Sequence, residues 1–380
     1  MAWFKKSPKK YSSSKIKYHL SYLLITLFYW NFVIRIAIFL RLLGSKTDNI
    51  RDIMSKGMEF VAQEVWLSSV IVSMFAVLSW YVRNFAYPPL IQKYQIRRLA
   101  IMVVIMDTFV FIVFGIMLGF AHYMIDQQLS VIEAFRALQE FLFNSTILFF
   151  LIVLSIGSYF NQLLHTMIHQ IGFTKLGRIM MGYYQKPREE NLIFMFLDLK
   201  SSTTYAERLG HKKYSDFIQD CFRHISDPLL LTYGRVYQYV GDEVIVTWNA
   251  NKMKNFKKAV DFFFLFREEL NSRKAYFVDK YGLIPVFTAS INSGKVMAAE
   301  VGEIKTELAF HGDVLNTAAR IQKQCKTYGK EILVTDKFAN NLKGHPNGYD
   351  VKFLDEATLV GKSKKVSLFE VEELKATVNS

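Results

Sequence analysis

Two aspartates of this 380-residue chain stand where packing alone would not place them. Asp198 ends the apolar run Leu192–Leu197, where a half-buried strand would carry another apolar residue, and Asp242 sits in the Gly241-Asp242 turn of an alternating segment, 235–249. If that hairpin lies beside the first strand, the two carboxylates meet at one sheet edge. No Lys compensates them at either turn, so the pair suits hard divalent cations such as Mg2+. The small polar stretch Leu199, Lys200, Ser201, Ser202, Thr203 follows Asp198 and opens a helix, whose free N–H groups can hold phosphates. Taken separately, Ser201 and Ser202 could be plain N-caps and Asp242 an ordinary turn residue. Taken together, metal carboxylates and a helix start describe phosphoryl transfer on a nucleotide. Asn316 and Arg320 add an amide and a cation one turn apart on one helix face.

The elements that position these groups are legible from periodicity. A strand is expected at 192–199, helices over 201–232 and 253–280, strands near 284–301 and 306–311, a helix at 313–328, a short strand at 331–335 and a last hairpin near 350–372. Strand, helix, two strands, helix, strand is the ferredoxin-like α+β order.

The Asp198 strand, the Gly241-Asp242 hairpin and the segment Gly312-Asp313-Val314-Leu315-Asn316-Thr317-Ala318-Ala319-Arg320, in this order and spacing, resemble the class III nucleotidyl cyclase catalytic domain. The resemblance covers about 190–375. It implies a homodimer with active sites at the protomer interface, where one chain supplies Asp198, Leu199 and Asp242 for two Mg2+ or Mn2+ ions. The other chain then supplies Asn316 to orient the ribose and Arg320 to stabilise charge on the reacting phosphate. The residues Leu199–Thr203 would lie against substrate, and Lys362 would contact the terminal phosphates, with Lys364 and Lys365 as rivals. The resemblance places the base-reading pair at Gln238 and Ala309. Gln238 can present either amide edge and Ala309 has no polar group, so the pair itself selects neither base; ATP is the expected substrate and GTP the alternative. A diguanylate cyclase would need a different turn around Gly241 and has no place for the Asn/Arg segment. A non-catalytic nucleotide-binding module remains the alternative outside the enzyme class.

The first half of the chain is of another kind. Hydrophobic residues make up 51% of the sequence, and four near-continuous apolar stretches, 18–43, 65–83, 99–122 and 141–164, each reach the roughly 20 residues a helix needs to cross hydrocarbon. That excludes a disordered chain, a disulfide scaffold and a purely soluble enzyme. A transporter is disfavoured because no internal repeat or broken-helix signal appears. The net charge of +14 clusters at the ends of these stretches, which points to anionic lipid rather than nucleic acid. Residues 1–17 and the 84–98 loop are basic without acids, whereas the 44–64 and 123–140 loops carry acids. The expected arrangement is therefore a four-span protein of the cell membrane, both termini cytoplasmic. The domains are 1–164, a four-helix transmembrane bundle; 165–190, a helical connector that continues the fourth span, stops at Pro187 and suits a parallel two-helix stalk; and 191–380, the catalytic domain.

Arg35 and Asp107 lie inside the expected spans, and pairing with each other is the cheapest arrangement. His165 and His169, with His19 at the matching end of the first span, could ligate haem or a metal; solvated interfacial histidines are the commoner outcome. The absence of a mid-span Lys argues against a retinal Schiff base. The external loops are too short for a ligand domain, so an apolar ligand within the bilayer, or the membrane itself, is the expected input. Cys221 and Cys325, the two cysteines, indicate a reducing compartment.

Overall fold

The computed structural model describes residues 8–43, 57–86, 96–125, 128–142, 145–343, 348–359 and 365–374. Its compact units lie within Lys15–Gly177 and within Arg178–Ser380.

The first unit is helical. Helices α1 (Pro8–Leu43), α2 (Gly57–Tyr81) and α3 (Ile96–Ile125) cover the first three apolar stretches, and α5 (Ser145–Ile171) takes up most of the fourth. Two helices are long and apolar enough to cross a membrane over His19–Leu40 and Leu148–Ile168, and Ile101–Met117 is a shorter apolar segment. Trp30, Phe75 and Leu154 are buried together, and a Cβ at Gly157 would stand 3.3 Å from Trp30, so α5 approaches α1 closely there. The stretch 123–140, expected as a plain loop, contains α4 (Val131–Leu142). Ser130 and Glu133 start it with a reciprocal capping box: the Ser130 N–H donates to Glu133 Oε2 at 3.0 Å, and the Glu133 N–H donates to Ser130 Oγ at 3.4 Å.

The expected Arg35–Asp107 pair does not form. Asp107 is 4% exposed and pairs with Arg83, which is 5% exposed in the π-helical turn Val82–Ala86 that follows α2. Ser79 and Ser158 donate to the two oxygens of Asp107 at 3.0 and 2.5 Å, and Arg83 also donates to Gln162 at 3.2 Å. The cost of a buried carboxylate is thus met by three helices at once. Arg35 is exposed and donates to Ser69 Oγ instead. Nor is the connector one helix with α5. The chain breaks at Gly172, whose φ of +86° is a left-handed conformation, and resumes as α6 (Phe173–Met180). Helical structure ends at Met180, before Pro187.

The second unit is a mixed α+β domain. β1 (Arg188–Leu199) leads through α7 (Ser202–Arg223) and α8 (Ser226–Thr232) to the hairpin β2 (Arg235–Val240) and β3 (Glu243–Asn249). Helices α9 (Lys254–Ser272) and α10 (Lys274–Tyr281) precede β4 (Phe287–Val301), β5 (Glu307–His311), α11 (Asp313–Tyr328) and β6 (Ile332–Thr335). A short helix absent from the sequence reading, α12 (Asp336–Lys343), comes before β7 (Tyr349–Ala357) and β8 (Val366–Glu373). The two long helical regions split, at His224–Ile225 and at Arg273.

The sheet order is β2-β3-β1-β4-β6-β8-β7, with β5 paired on β4. Only β4 with β6 is parallel among the described pairs. β1 is central and buried on both faces rather than half-buried, which explains its unbroken apolar run. Ile193, Met195, Leu197 and Leu199 face Phe217 and the α9 phenylalanines, while Leu192, Phe194 and Phe196 lie with Ala318 and Val314 of α11. Asp198 belongs by alternation to the second face, as its polar terminus.

Candidate active site

β1 and β3 bring the two aspartates together. Their antiparallel register sets Asp198 opposite Glu243, so Asp242 lies one residue beyond that pair in the turn. Gly241 takes φ +62°, which a two-residue hairpin turn requires and glycine accepts without strain. Burial first, and then the charge of Asp242, pushes the Asp198 carboxyl up to about 6, with the Leu199 N–H opposing. Glu243, which the sequence reading passed over, is a third member of the cluster. Burial, Asp198 and Asp242 push it up to about 7, and Lys323 of α11 opposes them.

Tyr214 of α7 is a second addition. Its hydroxyl hydrogen-bonds with Ser202 and Asp242; burial and the Asp242 charge push it up to about 12. One signal could have found it: a large aromatic sixteen residues after Asp198, on the helix that begins beside that aspartate. Glu243 shows no such signal, because an acid after Gly-Asp in a hairpin reads as a solvated turn residue.

Ser201 precedes α7 with φ 61°, ψ 31° and makes no capping hydrogen bond, so the plain N-cap reading fails for it. Lys200, Ser201 and Thr203 are exposed, Ser202 is half-buried, and the first turn of α7 offers backbone donors beside Asp198. Leu199 is 1% exposed with its side chain in the core, so only its main chain faces the site.

Asn316 is exposed and Arg320 half-buried on α11, on one helix face as expected. Among the described residues neither makes a hydrogen bond or ion pair with Asp198 or Asp242. The packing of α11 explains why. Val314 accepts a bond from Asn292, and Gln322 donates to Thr288, the β4 partner of Asp198. The level of Asn292 is four residues further along β4, about 13 Å from that of Asp198. Asn316 belongs near that distant level.

Gln238 is exposed on β2 beside a bulge, and Ala309 is half-buried on β5 opposite Ala299. Their sequence neighbours Tyr237 and Phe310 touch, with ring centroids 4.9 Å apart, so both expected base-reading positions belong to one corner of the domain. Lys362 and Lys364 lie outside the described residues; Lys365 is exposed at the start of β8. His19 packs edge-on to Trp80 and His165 against Tyr22, and the His169 side chain lies outside the described residues. Cys221 and Cys325 are free, and burial raises both thiols.

Comparison with known proteins agrees with this geometry. The adenylate and guanylate cyclase catalytic domain family matches residues 184–372. Adenylate cyclase 2 of Rhizobium meliloti is 28% identical over 190 residues, which are 50% of this chain and 52% of that protein. Adenylate cyclase of Anabaena cylindrica is 23% identical over 48% of this chain and 36% of its own length. The chain therefore spans about half or less of the length of these relatives. A crystal structure of the adenylyl cyclase CyaB from P. aeruginosa resembles 50% of this chain and 98% of its own, at 18% identity and a TM-score of 0.45. With the Asp198 strand, the Gly241-Asp242 hairpin, the α7 start and the α11 Asn/Arg pair in place, residues 184–372 belong to the adenylate and guanylate cyclase catalytic domains.

Proposed function

We propose that this chain is a membrane-anchored adenylate cyclase, a lyase that converts ATP to 3′,5′-cyclic AMP and pyrophosphate at sites shared across a homodimer. The observation that carries the reading is the gathering of Asp198 and Asp242 at one sheet edge by the β1–β3 register. Burial, and then the charge of Asp242, raise the Asp198 carboxyl, and a bound divalent cation would offset both. The donor set thus fits two Mg2+ or Mn2+ ions, held by Asp198, Asp242 and the main-chain oxygen of Leu199. When bound, such ions neutralise triphosphate charge and favour ionisation of the 3′-hydroxyl.

The chain's own residues do the rest. The α7 N–H groups from Ser201 to Thr203, with Lys200, hold the phosphates, and Lys362 closes on the terminal ones. Asn316 of the partner subunit orients the ribose, so that the 3′-oxygen lies in line with the α-phosphorus. Arg320 of the partner subunit stabilises charge on the reacting phosphate. The separation of α11's Asn316 level from that of Asp198 along β4 supports this sharing for Asn316. Gln238 reads the adenine edge, and Ala309 leaves room beside it. The named relatives, all adenylate cyclases, favour ATP over GTP.

The helical unit is read as four spans, α1, α2, α3 and α5, with both termini in the cytoplasm, and as the part that receives an input from the bilayer. α6 passes that input on. Purified full-length chain incubated with Mg2+ or Mn2+ and either ATP or GTP tests the catalytic reading. Cyclic AMP from ATP is expected. Cyclic GMP from GTP alone would overturn the base assignment, and no cyclic product from either would overturn the activity.

A further inference from the structure

Among its described residues, the helical unit holds on its outer surface a cation without a carboxylate partner. Asn31 and Arg35 stand one turn apart on α1, and both reach hydroxyls of α2. Asn31 Nδ2 donates to Ser73 Oγ at 3.2 Å, and Arg35 Nη2 to Ser69 Oγ at 2.5 Å. Ser69 and Ser73, with Val70, Met74 and Val77, line a groove of about 500 Å3. Val70, Met74 and Val77 are 38, 52 and 43% exposed, so the groove opens outward. Arg35 is exposed, and among the described residues it makes no ion pair.

A charged head beside an apolar trough has the chemistry of an amphiphile site, and its depth agrees. Arg35 lies five residues before Leu40, the end of the apolar window of α1. Ser69 lies five residues after Glu64, the last acid before the apolar part of α2. Both are about 7 Å below the boundary on the same side, within reach of headgroups for a snorkelling guanidinium. From there Val70, Met74 and Val77 run about 10 Å toward the membrane centre.

Charge decides between occupants. A second copy of the bundle would bring its own Arg35 against this one, and at the level of Ser69 and Ser73 α2 offers hydroxyls, its acids Glu59 and Glu64 lying nearer its start. Asp107, an acid inside the bundle, is already committed to Arg83. We infer that the Arg35–Ser69 groove binds an anionic phospholipid of the bilayer, its phosphodiester on Arg35 and Ser69 and one acyl chain along Val70, Met74 and Val77. This rests on the reading of α1 and α2 as membrane spans.

The test uses the full chain in detergent, equilibrated with equal amounts of phosphatidylglycerol and phosphatidylcholine, with retained lipid quantified by mass spectrometry. Phosphatidylglycerol should be enriched about fivefold, the factor expected of one arginine at an anionic headgroup. Arg35→Gln should remove the preference, Arg35→Lys should keep most of it, and Met74→Trp, which fills the trough, should lower total retention. Equal retention by the wild type, or an unchanged preference in Arg35→Gln, overturns the site. Displacement of the phospholipid by an equal concentration of oleate makes a free fatty acid the occupant. Cross-linking of Ser69→Cys chains to one another would make it a second copy. Carbonate extraction of the native membranes separates the two readings: release of the chain overturns the spans, whereas a resistant chain without lipid preference overturns the groove alone.

Discussion

Buried acids are treated differently in three places. In the catalytic unit Asp220 is 5% exposed and receives Tyr281 at 2.6 Å, Lys280 at 2.7 Å and Tyr276 at 2.8 Å. Burial would raise its carboxyl, but these donors hold it below its ordinary value. In the helical unit Asp107 is likewise enclosed by Arg83, Ser79 and Ser158. Asp198, Asp242 and Glu243, by contrast, crowd one edge of the sheet with two of their carboxyls pushed upward. Where folding alone is at stake, the chain supplies donors to a buried acid. Where it supplies only the Tyr214 hydroxyl and the Leu199 N–H, and no ion-paired cation among the described residues, a ligand is the remaining source of positive charge. Arg35 is the same contrast with the sign reversed.

The largest expected effects break that comparison directly. Asp198→Ala or Asp242→Ala should lower cyclisation by about a thousandfold or more, with folding retained, because each removes a metal ligand and relieves repulsion. Asp220→Ala should do the opposite: kcat holds, while about 2–3 kcal/mol of stability is lost as the buried Tyr281 hydroxyl and the Lys280 ammonium lose their acceptor. Turnover and thermal melting of the same preparations check both. Metal-dependent turnover surviving in Asp198→Ala would remove the two-metal assignment, and a dead Asp220→Ala that melts normally would mean that matched acids also serve catalysis.

The next test sharpens the claim that one chain holds only half a site. Asp198→Ala and Arg320→Ala chains, each inactive, should recover about a quarter of wild-type activity when mixed at equal amounts. Half of the dimers are then mixed, and each of those has one complete site of two. Mixtures that stay dead, although heterodimers are demonstrated by differential tagging, would show that the sites are not shared.

Much of this comparison is legible in the sequence, and the parts that are not have physical reasons. β1, β3 and α11 can be placed from period and turn residues because their apolar faces must match a core, and Gly241-Asp242 marks a turn unaided. Asp107 could be recognised as needing a partner, but the choice of Arg83 over Arg35 depends on helix rotation, which uniformly apolar spans do not record. The break at Gly172 is similarly hidden, since glycine is common within membrane helices and only its φ of +86° ends this one. Glu243 joins the site through register and leaves no pattern in a single sequence, whereas Tyr214 joins through helix packing and is marked there only by its spacing from Asp198.

A smaller effect follows from the protons on the unmatched acids. The carboxyls of Asp198 and Glu243 rise from 3.8 to about 6 and from 4.5 to about 7 on folding. Between about pH 4 and 7 the folded chain therefore binds more protons than the unfolded one, and stability falls as pH rises through that window. In EDTA the melting temperature should drop by about 3 °C from pH 4.5 to 7.5 more in the wild type than in Asp198→Asn, after allowance for solvent screening of these half-exposed groups. Mg2+ should recover the loss in the wild type and not in the variant. Parallel pH curves for the two proteins would mean that the acids do not repel one another.

The smallest effect separates backbone from side chain at the phosphate site. Ser201 holds φ 61° with no capping bond, so its side chain bears the left-handed cost, about 1 kcal/mol, without a local hydrogen bond in return. Glycine would remove that cost but would also loosen the unfolded chain by roughly 0.5 kcal/mol. The net expectation for Ser201→Gly is a gain of about 0.5 kcal/mol, or 1–2 °C in melting temperature. If the α7 N–H groups hold the phosphates, KM for ATP should change by less than about threefold, because glycine presents the same N–H in the same conformation. A tenfold rise in KM with the stability gain intact would assign phosphate binding to the Ser201 hydroxyl. A loss of stability would mean that the hydroxyl supports the turn by a contact that outweighs the strain, and the left-handed serine would then belong with the matched groups of the fold.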